Sequence, residues 1–262
     1  MSSGSAGSGS RRIERTLKLD APVDAVWKAL TDATELMRWF PMRARVVPGP
    51  GGSIHMQWDD TYDAESRIEI WEPDQHLRIG FPHHGPVLLA TDYHLESDKG
   101  RTVLRVVTSG FGEGSDWDDW YAGVGSGWDF ELEGLKHYLE HHRGQDRLVA
   151  TARGAFTMTR AEAWHRLVGP GGWFEIESGV PQAGTRATGR ARSGASLSGT
   201  VLLWAPPTQL VMTVEQYNHA ILRVEVEQGD HAIVWMATYG VAEETVAGVS
   251  REWRQSLRDA LH

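Results

Sequence analysis

Apolar and polar positions alternate with period two along much of the chain and switch to a helical spacing at two places, each at the end of a run of alternating segments. The first run begins with Ile13, Leu17 and Leu19 at 12–19, then continues through Ile54/Met56/Trp58, Ala64/Ser66/Ile68/Ile70, Leu77/Ile79/Phe81, Leu89/Thr91/Tyr93/Leu95 and Leu104/Val106/Thr108. Successive strands of this kind, joined by short polar turns, predict an antiparallel meander with one buried face. Between the first two strands, Ala21-Pro22 opens a helix running to about Leu30, for which Asp20 is the expected N-cap, and a second short helix covers 33–39. From Trp117 the spacing becomes helical through Trp120/Tyr121, Val124, Trp128, Leu132, Leu135 and Leu139, so 115–142 is expected to be one long amphipathic helix with Ser115 as its cap. Asp116, Asp118 and Asp119 sit in its first turn, where the helix dipole favours acids.

The second half repeats this order in trimmed form. A strand is expected at 149–157, a helix at 160–167, strands at 186–192, 195–204, 209–217, 220–227 and 232–239, and a last helix at 243–261. The landmarks recur as well: Trp27 and Trp39 correspond to Trp164 and Trp173, and the Trp71-Glu-Pro and Trp204-Ala-Pro tripeptides follow the second Trp of each pair by 32 and 31 residues. A near-constant separation between two fixed points argues for duplication. The expected organisation is a Gly/Ser-rich tag or flexible leader at 1–10, a first domain at 11–143 and a second at 147–262, with so short a linker that the domains are expected to pair within the chain.

Composition narrows the partners. The second half carries eleven Arg, no Lys and eleven acids, so the whole net charge of -9 lies in the first half. Nucleic acid and anionic membranes need a basic footprint and are not expected as partners. No run is long and apolar enough to span a bilayer, and a cytoplasmic location is the expectation. Zero cysteines removes thiolate chemistry and Cys-ligated zinc. Twelve histidines invite a metal reading, yet the one pair on a shared helix face, His137 and His141, lacks a His-Glu-x-x-His pattern; no metal and no cofactor are expected. Gly123-Val-Gly-Ser-Gly127 is not a dinucleotide loop, because it lies inside a helical stripe.

The first half closely resembles the START-like (SRPBCC) superfamily, in its bacterial branch named for the activator of heat-shock-protein ATPase. The resemblance rests on Ile13-Glu-Arg, Ala21 to Asp32, Arg38-Trp-Phe40, Gly51-Gly52, Trp71-Glu-Pro73, Thr108-Ser-Gly-Phe111, Gly127-Trp128, Leu135 and Tyr138-Leu-Glu140. The second half looks like a degenerate copy without the Ala-Pro start, the second short helix and the Gly-Trp pair. The resemblance implies an α+β fold of two tandem helix-grip domains, each a curved antiparallel sheet wrapped around a long C-terminal helix with an apolar cavity between them. Close approach of sheet or ligand to the helix would then account for Gly123, Gly125, Gly127 and Gly134, helix flexibility being the other reading.

The expected function is binding of a small hydrophobic or aromatic molecule in the first domain. Met56, Trp58, Ile68, Phe81, Thr91, Tyr93 and Thr108 are the candidate contacts from the sheet, and Trp117, Trp120, Tyr121, Val124 and Trp128 those from the helix. Few polar groups in an apolar cavity suit a small-molecule site, and equally an ordinary core with satisfied hydroxyls. The first alternative is an enzyme (cyclase, dehydratase or hydrolase) acting on a natural-product-like substrate, with Tyr93, His83, His84 or Asp59 as acid–base candidates. The second is a chaperone-ATPase co-regulator, as the branch name suggests. The sequence leaves the oligomeric state open.

Overall fold

Two seven-stranded antiparallel sheets, built in the same order, make up the protein in a computed structural model that describes all residues except 1–10, 59–62, 84–86 and 228. The chain divides into two units, Met1–Arg143 and Gly144–His262.

In the first unit, β1 (Arg11–Leu19) is followed by helices α1 (Val23–Thr31) and α2 (Ala33–Met37). Strands β2 (Arg43–Val47), β3 (Ser53–Gln57), β4 (Asp63–Glu72), β5 (His76–His83), β6 (Val87–Asp98) and β7 (Arg101–Phe111) then form the meander. Its order is β1-β7-β6-β5-β4-β3-β2, so the first strand closes beside the last. Helix α3 (Ser115–His137) follows and ends in a π-helical turn at Tyr138–His142. The alternation does what a half-buried sheet requires: Ile68, Leu77, Ile79, Leu89, Thr91, Tyr93, Leu104, Val106 and Thr108 are buried, while the outward positions between them carry most of the charge.

The second unit repeats the plan with β8 (Arg147–Ala155), helix α4 (Arg160–Val168), β9 (Phe174–Ile176), β10 (Arg186–Ala191), β11 (Ser196–Ala205), β12 (Gln209–Val214), β13 (Ala220–Val226), β14 (His231–Tyr239) and the terminal helix α5 (Glu243–Leu261). The order β8-β14-β13-β12-β11-β10-β9 matches the first sheet strand for strand. Thr159 opens α4 with a capping box shared with Glu162, and no second short helix follows before the buried Trp173. Each unit is therefore a helix-grip domain.

Several local expectations are corrected. Asp20 does not cap α1: the helix starts three residues later with extended Pro22 at the cap position, and the Asp20 N–H donates instead to Glu140 Oε1 at 2.9 Å. The side chain that caps is Asp32, which accepts from the N–H groups of Thr34 and Glu35 at the start of α2. Ser115 is the first helical residue of α3, and Gly114, in the left-handed region at φ 98°, takes the cap position. Close approach does not explain two of the helix glycines, since a Cβ at Gly127 or Gly134 would meet nothing within 4 Å. Strands β2 and β9, one at the edge of each sheet, were not expected. They are five and three residues long, too short to show a clear period.

Candidate functional site

The concave face of the first sheet, α1, α2 and the middle of α3 converge on one aromatic cluster. Helix α1 buries Val26, Trp27, Ala29 and Leu30, and α2 buries Leu36. The chain leaving α2 places Trp39 and Phe40 stacked at 4.9 Å, with the Trp39 indole N–H donating to the carbonyl of Ala29 at 2.8 Å. Phe40 then meets Trp58 edge-on at 5.2 Å and Trp128 of α3 at 6.3 Å. Trp128 in turn meets Tyr93 edge-on at 6.0 Å.

Beneath these rings lies a cavity of about 10 Å³ lined by Leu30, Leu36, Trp39 and Phe40 on the helix side and by Ile54, Met56, Leu77, Ile79 and Tyr93 on the sheet side. That is room for about one water molecule. A larger guest requires the ring cluster to move apart.

The polar groups in this region fall into two sets. Trp128 donates its indole N–H to Thr108 Oγ1 at 2.9 Å, and the Thr108 and Thr91 hydroxyls share a hydrogen bond at 3.1 Å. These three residues satisfy one another, as buried polar groups must. Tyr93 differs. Its side chain is 5 % exposed and lines the cavity, and its hydroxyl has no hydrogen-bond partner among the described residues. Burial pushes its ionisation well above the ordinary phenol value, so Tyr93 presents a neutral O–H.

Of the twelve candidate contacts, Met56 and Tyr93 line the cavity, while Trp58, Thr91, Thr108 and Trp128 adjoin it through the contacts above. Ile68 is fully buried on β4, and Phe81 is half-buried on β5. The N-terminal half of α3 is placed elsewhere. Trp117 and Tyr121 pack edge-on against Phe111 at 6.3 and 5.0 Å, the Tyr121 hydroxyl donates to the Arg12 carbonyl at 2.9 Å, and the Arg11 guanidinium lies 4.5 Å above the Tyr121 ring. Trp120 and Val124 are half-buried on the same stretch. Tyr121, expected to share a ligand with Met56, Trp58 and Tyr93, is thus placed elsewhere: its position along α3 brings it to β1 and the end of β7. Sequence reasoning also missed the helix side of the cavity. The signal was present in Arg38-Trp-Phe40, read there as a family landmark and not as a wall. Asp59 and His84, two of the acid–base candidates, lie outside the described residues, as does the side chain of His83.

Struts between charged or polar groups hold α3 to its surroundings: Arg15 to Asp129 at 2.6 Å, Arg11 to Asp118 at 2.7 Å, and the Tyr138 hydroxyl donating to Glu35 Oε2 at 2.5 Å. A separate polar cluster occupies the outward face of β5 and β6. There, burial together with the neighbouring His76 and Arg105 holds His94 below the ordinary imidazole value.

The family model for activator of Hsp90 ATPase homolog 1-like protein matches residues 20–140, from the approach to α1 into the π-helical turn. The match spans most of the first unit. The homolog-1-like match ends before the second unit begins. No protein of curated function matches the chain. Among solved structures, CalU16 from Micromonospora echinospora is 27 % identical over 50 % of this chain and 75 % of its own, with a TM-score of 0.42. Two others match over nearly the full length. The di-domain ARO/CYC BexL from the BE-7585A biosynthetic pathway is 16 % identical over 96 % of this chain and 99 % of its own, with a TM-score of 0.46. DynU16, a protein in the dynemicin biosynthetic locus, is 18 % identical over 95 % of each chain, with a TM-score of 0.45. Among the described residues, no helix is long and apolar enough to cross a membrane.

Proposed function

We propose that the first domain binds a small hydrophobic, aromatic molecule that carries a hydrogen-bond acceptor. The observation that supports this reading is Tyr93, a buried residue whose neutral phenol lines an otherwise apolar cavity with no described hydrogen bond to its hydroxyl. A guest carbonyl or phenolic oxygen that accepts from this O–H would gain a hydrogen bond worth about 1 kcal/mol. The surrounding Trp39, Phe40, Trp58 and Trp128 rings offer edges and faces to an aromatic guest. Among the described lining residues, no carboxylate or imidazole stands beside Tyr93.

Entry of a guest would require the Phe40–Trp58–Trp128 cluster to part, because the cavity accommodates about one water. The test is a titration of the full chain with a naphthol-type probe, followed by quenching of tryptophan fluorescence. Saturable quenching is expected. Tyr93→Phe, which keeps the ring and removes the donor, should weaken binding about tenfold, the equivalent of one good hydrogen bond. Ile79→Phe, which fills the cavity, should abolish saturation while the circular-dichroism spectrum is retained. Equal affinity in the wild type, Tyr93→Phe and Ile79→Phe would overturn the proposal.

A further inference from the structure

Strands β5 and β6 present their inward side chains to the cavity, and their outward side chains form a second constellation. The register sets His76 opposite His94 and Arg78 opposite Asp92. The two imidazole rings stack at 4.2 Å with 23° between their planes, and His76 Nε2 lies 2.8 Å from Asp92 Oδ1. One ligand atom from each of His76, Asp92 and His94 lies within 4.8 Å of the other two.

We propose that His76, Asp92 and His94 form a binding site for a divalent transition-metal ion of the zinc type. Two imidazoles and a carboxylate are a donor set that suits such an ion better than magnesium or calcium, which prefer all-oxygen shells. Bonds of about 2.0–2.2 Å from a shared ion to nitrogen and oxygen set neighbouring ligand atoms about 3 Å apart. The His76–Asp92 separation of 2.8 Å is already close to that, so only His94 needs a modest side-chain adjustment. All three residues stand on adjacent strands inside the sheet, a more rigid base than a loop. The side chains of His76 and Asp92 are only 18 % and 13 % exposed, which limits competition from water.

Arg78 is the feature that opposes a cation, since its guanidinium pairs with Asp92 Oδ2. It also pairs with Glu69 at 2.8 Å, and nearby Arg105 faces Glu14 at 3.5 Å. Arg12 also faces Glu14 at 3.4 Å, so the three guanidiniums balance the three carboxylates Asp92, Glu69 and Glu14 and the surroundings carry no net positive charge. Arg78 then acts as an outer partner that fixes the carboxylate and leaves Oδ1 for the metal. On binding, the ion replaces the proton that links His76 Nε2 and Asp92 Oδ1; that proton moves to His76 Nδ1 or to solvent. Positions beyond the three side chains face outward, where water completes the shell.

The experiment uses the full chain after chelator treatment, titrated calorimetrically with Zn²⁺ and followed by visible absorption with Co²⁺. One ion per chain is expected, with Co²⁺ bands characteristic of a low-coordinate nitrogen and oxygen shell. His94→Gln and Asp92→Asn should each weaken Zn²⁺ binding at least tenfold with the circular-dichroism melt preserved. His141→Gln, on the π-helical turn, should leave it unchanged. Absence of stoichiometric uptake, uptake insensitive to His94→Gln and Asp92→Asn, or loss of uptake in His141→Gln would each overturn the site.

Discussion

The two domains share a strand order, yet they close their grips differently. In the second, α5 supplies Val246, Val249, Trp253, Leu257 and Leu261 to an inner sheet face that carries Leu210, Met212, Leu222, Val224, Val234 and Met236. Trp253 meets Trp173 edge-on at 5.2 Å, and the Trp173 N–H donates to Ser256 Oγ at 3.0 Å. Gly154 of β8 lets the helix lie close: a Cβ there would stand 2.8 Å from a Leu261 methyl. In the first domain, the helix is tied by struts such as Arg15–Asp129, Gly127 and Gly134 face open space, and the grip encloses a cavity beside the Tyr93 phenol. The same strand order thus supports two grips, one in which the helix packs closely on the sheet and one that encloses a small cavity beside a phenol.

The largest expected effect tests whether the second core is the fuller one. Trp253→Ala should destabilise the second domain by about 3–5 kcal/mol, the usual range for deleting a buried tryptophan. Trp128→Phe keeps an aromatic ring in the first domain and should cost less, about 1–3 kcal/mol, mainly through the lost bond to Thr108. Hydrogen exchange read separately in β12–β14 and in β5–β7 reports each domain by itself. A Trp128→Phe loss equal to that of Trp253→Ala would mean that the first core is packed as tightly as the second.

Next come the hydroxyls, where the two polar sets should respond with opposite sign. Thr108→Val removes the acceptor of Trp128 and the partner of Thr91, and should destabilise the first domain by about 1–3 kcal/mol. Tyr93→Phe removes a group with no partner, and should be neutral or stabilising by up to about 1 kcal/mol in the absence of ligand. Chemical denaturation midpoints give the comparison. A Tyr93→Phe loss as large as that of Thr108→Val would show the phenol to be satisfied after all, and would remove the main support for the ligand reading.

Much of the fold was legible because period two and period 3.6 are written directly into buried positions. Leu89/Thr91/Tyr93/Leu95 and Leu132/Leu135/Leu139 could each face only one way, and both are buried as alternation and helical spacing demand. The edge strands Arg43–Val47 and Phe174–Ile176 were not legible, since a short edge strand leaves little apolar signal. The site was half legible. Periodicity tells which sheet residues point inward, hence Met56 and Tyr93; it does not tell how far along α3 the sheet reaches, hence Tyr121 was misplaced. Nor does it reveal that Trp39 and Phe40, beyond the end of α2, close the cavity. The cross-strand meeting of His76, Asp92 and His94 depends on register, which spacing within a single strand does not encode.

Glycines sharpen the contrast at about 1 kcal/mol. Gly134→Ala adds a methyl in open space on α3 and lowers backbone entropy in the unfolded chain, so it should stabilise the first domain by about 1 kcal/mol. Gly154→Ala puts a methyl against Leu261 and Leu257 and should destabilise the second by about 1–2 kcal/mol. Thermal melts of the two variants should move in opposite directions. Stabilisation by both would deny that α5 is held closer to its sheet than α3.

The smallest expected effect is in pH dependence, and it applies to both domains. Burial raises the carboxyl of Glu133 on α3 above its ordinary 4.5, and the same cause raises Glu225 on β13 despite the neighbouring Arg223. A raised carboxyl binds its proton more tightly in the folded state. Its contribution to stability is therefore fully present below the unfolded value near 4.5 and is lost as pH rises through the folded value. Glu133→Gln should flatten that decline in the first domain and Glu225→Gln in the second, each without changing the slope of the other. Glu133 has no ion pair among the described bridges, whereas Glu225 pairs with Arg223, so the flattening should come with a net gain at neutral pH only for Glu133→Gln. Hydrogen exchange in the two sheets across this window measures both slopes at once; a steeper decline in Glu133→Gln than in the wild type would reverse the assigned direction.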